Sequence, residues 1–522
     1  MRASTAGGWL MALLLAAAAV ANEPESTPDD VSTDVSPATA VTPAAEDVLA
    51  EDDLASPGPE AAPAETPADP AETVPPAEPS PPAPTARRVR IELDVRGELF
   101  APTGRDTDPV RQPITVEARF DFLEQPAIAG DAVASRLYSE AKALVSVNEQ
   151  SNEMALPADA RRVEVALRGT TPSPYLADGF LSREESDLLD TPFDPLLLDR
   201  LLPTEPVAVG ATWTVPADAT AGMLAIDTIE SGSFDAELTA AEDDLATVRL
   251  TGIIDGAVDG VPTHLAIEGE CSVATTAVDG ETAMWRLTAA RVAAVTIRER
   301  RQASHVAPGF DVEARVAVAR RAVGPGAFEE SFATPAAALS HRRRGTGRPG
   351  LVWHHDRDGG YDLVCEDRWR VVEDGPTGLV LRLVDRGALV GQCSLTTLPR
   401  SDALAPPTIA EVQRDIERSL AGQFGRFESA SEATRSDGVR IVRVVSEGTA
   451  ENLPFRWIHH VLTDASGRRA AATFMLEASA AKRFAAADRE FVDGLAFPST
   501  PTPTPEAPAE REARAPRETV TP

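Results

Sequence analysis

Few groupings in this 522-residue chain could do chemistry, and each has a plain structural explanation beside it. Four of the seven His occur as the adjacent pairs His354-His355 and His459-His460. The first pair runs into Asp356-Arg357-Asp358-Gly359-Gly360-Tyr361-Asp362, a string with the look of a calcium loop. Calcium needs six to eight oxygens at alternating positions and, in an EF-hand, a closing bidentate Glu. Here the spacing is short and Arg357 interrupts it, so a polar turn is expected. His459-His460 lies in an alternating strand, where neighbours point to opposite faces. One is expected to pack and the other to be solvated. Zinc between the two pairs would need three or four ligands in a tetrahedral array, and none is assigned.

The remaining templates fail similarly. Ser304-His305 are adjacent, which does not produce the geometry of a nucleophile and its base. Asp243-Asp244 and Glu184-Glu185 could serve a glycosidase only if set about 5–10 Å apart across a cleft. Asp243-Asp244 reads as a turn, and Glu185 completes a helix cap with Ser182. No Gly-x-Ser-x-Gly elbow, His-Glu-x-x-His or phosphate-binding Gly loop occurs. No catalytic, cofactor-binding or metal-binding residue is therefore assigned, and no cofactor is expected. Trp213, Trp285, Trp353, Trp369 and Trp457 are spread singly, as core anchors are.

Three Cys remain: Cys271, Cys365 and Cys393. In an oxidising compartment an odd count suggests one bridge and one leftover thiol. Cys365 and Cys393 fall on strand-like segments of one domain and are the favoured pair; two buried, unpaired thiols are the alternative. A bridge would contribute roughly 3–4 kcal/mol by the chain-entropy argument.

The compartment is read from Met1–Ala21, where Arg2, an apolar run from Trp9 to Val20 and the ending Ala19-Val20-Ala21 have the form of a secretory signal peptide. The run is too short for a stable membrane span, and no Cys follows it for lipid attachment. An exported protein, periplasmic or extracellular, is expected. Net charge is −33, with 82 acidic against 49 basic residues. Residues 22–86 hold 15 acidic residues and no Lys or Arg, whereas 335–498 hold 22 of each. This balance disfavours nucleic acid and anionic membrane as partners, since phosphates require clustered Lys and Arg. The one basic cluster, Arg342-Arg343-Arg344, is expected in a solvated linker.

Residues 22–87 are Pro, Ala, Glu, Asp, Thr and Ser with few large apolar side chains, and are expected to be a disordered acidic spacer. The tail 499–522 has the same character. Between them, period-2 alternation begins at Val89, Ile91, Leu93 and Val95 and repeats at Ile114, Val116, Ala118, Phe120 and Phe122. Further strands are expected at 137–147, 161–168, 207–215 and 223–229, with a capped helix at Ser182-Arg183-Glu184-Glu185 and a short turn at 195–202. A meander follows at 234–239, 245–254, 263–275, 283–299 and 311–320. Asp255-Gly256, Asp259-Gly260, Asp279-Gly280 and Pro308-Gly309 are read as its turns. The expectation is a mainly β, α+β chain: a large antiparallel meander or open barrel over 88–325, a linker over 326–350, and an α/β sandwich over 351–498.

That second domain reads β-β-β-α-β-β-β-α. Strands are expected at 361–366, 369–373, 379–385 and 389–398, then a helix capped by Thr408 with Glu411 three residues on. Strands at 427–434, 439–448, 455–463 and 470–477 follow, and a helix over 480–494. Trp369, the helix 408–421 followed by Phe424, the strands through Arg440–Glu447 and Arg456–Leu462, and the closing Phe491-Val492-Asp493-Gly494-Leu495-Ala496-Phe497 resemble the Mog1/PsbP-like family. That resemblance implies an interaction or scaffold module, since relatives bind proteins; no catalytic motif defines the family. Leu201-Leu202-Pro203-Thr204-Glu205-Pro206-Val207-Ala208-Val209-Gly210-Ala211-Thr212-Trp213 is similar to a segment of uncharacterised exported bacterial proteins. The expected function is non-catalytic binding or scaffolding of an envelope protein or amphiphile. The alternative is a hydrolase of an envelope polymer using paired carboxylates. A lipocalin-like carrier would require a roomy apolar cavity inside the meander.

Overall fold

Alternation alone builds most of the first half. A computed structural model describes residues 86–498 except 102–108, 128–130, 149, 259–260, 279–283, 302–308, 325–344, 357–359, 376–377, 401–406 and 451. The signal-like segment, the acidic spacer, the tail and Arg342-Arg343-Arg344 lie outside the described residues. The alternating run from Val89 becomes β1 (Arg87–Ala101), followed by β2 (Val110–Pro126), β3 (Ala134–Val147), β4 (Gln150–Ala155), β5 (Arg162–Arg168) and β6 (Thr171–Tyr175). After β7 (Leu181–Ser182) and β8 (Thr212–Thr214) come the long strands β9 (Thr228–Glu242), β10 (Leu245–Val258), β11 (Val261–Val278), β12 (Met284–Arg301) and β13 (Gly309–Ala322).

All of these except β7 form one open, antiparallel, 12-stranded sheet of order β6-β5-β3-β2-β1-β13-β12-β11-β10-β9-β8, with β4 also pairing β3. Its centre is the pairing of β1 with β13, which runs from Arg87↔Ala322 to Phe100↔Gly309. Two meanders grow outward from that pair. The expected large antiparallel meander is thus present, and it does not close into a barrel.

One face of the sheet carries the core, in which Phe120, Phe122, Phe193, Phe234 and Phe310 are fully buried. Helical pieces cover it: α1 (Arg183–Leu189), a 3-10 turn (Leu198–Leu201) and α2 (Ala217–Leu224). Helix α1 starts on the expected capping box, with Glu185 N donating to Ser182 Oγ at 3.2 Å and Ser182 N donating to Glu185 Oε2 at 2.8 Å. Ion pairs of two buried arginines pin this cover to the sheet. Arg136 donates from Nη2 to Asp194 at 2.7 Å and from Nε to Glu124 at 2.9 Å, while Arg320 donates to Asp199 and to the Pro195 carbonyl. Satisfying such charges in the interior requires this kind of complete pairing.

The rest of the chain contributes β14 (Leu351–His355), β15 (Asp362–Glu366), β16 (Trp369–Gly375), β17 (Gly378–Asp385), β18 (Ala388–Leu398), α3 (Ile409–Leu420), β19 (Phe424–Thr434), β20 (Arg440–Ala450), β21 (Leu453–Thr463), β22 (Arg469–Glu477), α4 (Ala481–Phe484), α5 (Ala487–Asp493) and β23 (Leu495–Ala496). A seven-stranded antiparallel sheet runs β16-β17-β18-β22-β21-β20-β19. Trp369, Phe474, Phe484 and Phe491 stack edge-on in its main core. On the opposite face α3 packs Val412 and Ile416 against Val442 and Val444. Its capping box is as expected, with Thr408 N donating to Glu411 Oε2 at 2.8 Å.

Several expectations change. Residues 223–229 were expected as strand, but 223–224 end α2 and Ala225 closes it in the left-handed conformation before β9. Asp255-Gly256 lies inside β10 at a register shift, not at a turn. Asp243-Asp244 is the two-residue turn between β9 and β10, with Asp243 at φ 50°. The closing helix breaks at Ala485, at φ 48°, into α4 and α5. The described part of the linker, 345–350, is not free of the fold, although Gly345, Thr346 and Arg348 are exposed. Gly347 N donates to the Ala177 carbonyl at 3.1 Å, and a Cβ on Gly347 would overlap the Leu176 carbonyl oxygen. Nor do the two sheets stand apart, because β7 pairs in parallel with β14 through Val352↔Leu181 in a four-stranded sheet β23-β15-β14-β7. Arg168 also donates to Asp367 at 2.8 Å. Among the described residues no helix is long and apolar enough to cross a membrane.

Candidate functional site

The polar face of the large sheet forms a trough of about 790 Å³ spanning β2, β1, β13, β12, β11 and β10. Register places its side chains in two rows across the strands. One row reads Glu117, Asp94, Arg315, Thr296 and Glu268; the next reads Arg119, Glu92, Ala317, Ala294, Glu270 and Arg249. Residues two apart on a strand share a face, which is why the two rows lie side by side. The floor is low in the middle because Ala317 and Ala294 are small. On the core face beneath them, a Cβ on Gly269 would lie 2.5 Å from the Ala294 carbonyl oxygen, so β11 and β12 approach more closely than another residue would allow.

Some of these charges are already engaged. Arg96 donates to Asp94 at 2.9 Å, Arg249 to Glu237 at 3.0 Å and Arg315 to Glu313 at 2.9 Å. The guanidiniums of Arg315 and Arg298 hold the Glu313 carboxyl below its usual range, against slight desolvation. By contrast, Glu92, Glu117, Glu268, Glu270 and Arg119 form no hydrogen bond or ion pair among the described residues, and all five are exposed. Glu117 stands directly opposite Asp94, a like-charge cross-strand pair that costs stability unless something offsets it.

The sequence-derived candidates sit elsewhere and do not converge. His355 Nδ1 lies 2.7 Å from Asp362 Oδ1, and Gly360 N donates to Asp356 Oδ2 at 2.8 Å, the hydrogen bonding of a polar turn. His460 packs as expected, its Nε2 2.9 Å from Asp488, which also accepts from Arg443 at 2.7 Å. His459 is not solvated as expected. It lies on the face that α3 covers, with Nδ1 3.2 Å from Thr473 Oγ1, and burial pushes it down to about 4. Among the described residues no three His, Cys, Asp or Glu side chains gather to hold a metal. Ser304-His305 lies outside the described residues.

Cys365 and Cys393 are both buried in the second core as free thiols, and Cys271 is a free thiol in the first. Burial pushes the Cys365 and Cys271 thiols up to about 12 and raises Cys393 well above its ordinary value, so none is a reactive thiolate at neutral pH. Trp369 and Trp457 are core residues, and Trp213 and Trp285 pack against the first core.

Nothing in the strand pattern announced the trough, which depends on the register of six strands. Its only sequence signal is the run of charged residues on the non-core face of each strand. No family model and no curated protein matches the chain. Cyanobacterial PsbP from Synechocystis sp. PCC 6803 is similar over 31% of this chain and 98% of its own, at 13% identity and a TM-score of 0.25. A loop-deletion mutant of the Vibrio cholerae outer membrane protein OmpT covers 76% of this chain and 99% of its own, at 7% identity and a TM-score of 0.11. Pseudomonas aeruginosa OccK5 covers 74% and 96%, at 8% identity and a TM-score of 0.11. The likeness to PsbP-like proteins is therefore weak and partial, and the chain is described by its own architecture: a β-rich protein of two antiparallel sheets joined by a small mixed one.

Proposed function

We propose that this is an exported, non-catalytic binding module whose large sheet takes an extended, net basic segment of an envelope protein along its polar trough. The observation that supports this is the set of four exposed carboxylates, Glu92, Glu117, Glu268 and Glu270, that form no hydrogen bond or ion pair among the described residues. Strand register holds them at fixed spacing, with Glu92 opposite Arg119 and Glu270 opposite Arg249. A protein segment fits better than an amphiphile, because the face that would receive an apolar tail is filled by Phe120, Phe122, Phe234 and Phe310. Binding also fits better than hydrolysis. A glycosidase acid needs a sheltered carboxyl held protonated, and the trough carboxylates are in water.

The test compares capture from an envelope extract by the mature chain and by a Glu92→Lys, Glu117→Lys, Glu268→Lys, Glu270→Lys variant. These positions are exposed, but reversal at 92 and 270 sets cations opposite Arg119 and Arg249, so the variant's fold is checked by circular dichroism before capture. A basic partner held by the wild type, released by high salt and lost in the variant is expected. An unchanged set of captured proteins, or none, refutes the proposal.

A further inference from the structure

The second sheet carries a cation with no counterpart. On its α3-facing side one row of side chains crosses the strands as Arg370, Arg382, Gln392, Met475, Trp457 and Ser446, each register-paired with the next. Other arginines of this sheet have carboxylate partners: Arg426 with Glu447, Arg440 with Glu432, Arg443 with Asp488 and Arg456 with Glu428. Arg382 forms no hydrogen bond or ion pair among the described residues, and its Nε is buried with no acceptor. Its cross-strand neighbour is a second cation, Arg370, whose own charge acts on the buried Asp187. Further along the row Ser446 is fully buried, and its Oγ also lacks a partner.

Like charges opposite each other on adjacent strands are destabilising, and a partly buried cation without an anion loses hydration with no return. A planar guanidinium with free donors matches two oxygens of a carboxylate or phosphate. We propose that Arg382, with the Gln392 amide beside it, binds the oxygens of a carboxylate or phosphate group carried by a ligand. This site is on the other sheet from the trough and does not depend on it. Burial without a counter-charge already lowers the Arg382 pKa, the effect that a bound anion would reverse.

The experiment measures thermal unfolding and binding of the mature chain with sodium acetate, sodium phosphate and sodium chloride at matched ionic strength. A saturable rise in Tm with an oxyanion, absent with chloride, is expected. A response to acetate alone assigns a carboxylate, to phosphate alone a phosphate, and to both a general oxyanion site. Arg382→Gln is expected to weaken that affinity at least tenfold, with Arg382→Lys in between. Without added oxyanion, Arg382→Gln should unfold at or above the wild-type temperature, because it removes an unpaired cation. Equal responses to all three salts, an undiminished response in Arg382→Gln, or a lower Tm of that variant without oxyanion would each overturn the proposal.

Discussion

His459 should make this protein sensitive to mild acid. Its ring lies on β21 with Nδ1 toward Thr473 and Nε2 buried without an acceptor. Burial first, and the neighbouring His460 second, push its pKa from 6.5 down to about 4. In the unfolded chain the ring regains its ordinary value, so the unfolded state binds the proton first as pH falls. The contribution is therefore whole above about pH 6.5 and is lost progressively down to about pH 4. The full difference corresponds to about 3 kcal/mol, of which about 2 kcal/mol is gone by pH 5. That is a large share of the ~5–15 kcal/mol by which domains are stable. Urea unfolding followed by Trp fluorescence, at pH 7 and pH 5, compares the wild type with His459→Gln. Gln does not titrate and keeps a group that can meet Thr473 Oγ1. The loss on acidification should be about 2 kcal/mol smaller in the variant. His460 and His354 are also lowered by burial, but they are common to both proteins and cancel. Equal losses in the two proteins would refute the assignment to His459.

Two further outcomes follow from the cores. Arg136→Met leaves Glu124 and Asp194 buried without their cation and should cost about 3–5 kcal/mol in urea unfolding; a loss under about 1 kcal/mol would show that water reaches the pair. The cysteines are buried free thiols, Cys271 in the first core and Cys365 and Cys393 in the second. Thiol titration in denaturant should then give three reactive thiols per chain both before and after reduction. One before reduction would show a bridge between Cys365 and Cys393 instead.

What the sequence discloses here is what is locally determined. The alternation of Val89, Ile91, Leu93 and Val95 fixes which face of β1 is buried, and the capping boxes at Ser182 and Thr408 fix two helix starts within one turn of chain. Helix α2 was missed because no side chain caps it and its end reads as strand. Strand β7 is two residues long and gains its partner, β14, only through a contact far along the chain. Two-faced burial of His459-His460 was missed because the covering helix α3 arrives from a different part of the sequence. The trough and the Arg382 row are wholly products of register. Glu92 and Glu270 fall in one row only when β1, β13, β12 and β11 align, and nothing local marks Arg382 as an arginine that meets no acid among the described residues.

The pairing of β1 with β13 also bears on how the chain can be cut and joined. Arg87 and Ala322 are register partners, so the large sheet begins and ends within one strand spacing, about 5 Å. Its central ladder, which joins the two meanders, forms last in synthesis and closes the longest loop in the sheet, a slow step when contacts are this distant in sequence. A circular permutant linked across Arg87 and Ala322 and opened at the Asp243-Asp244 turn would make that ladder a hairpin. The most distant contact would then be the β9–β10 ladder, near the edge of the sheet instead of its centre.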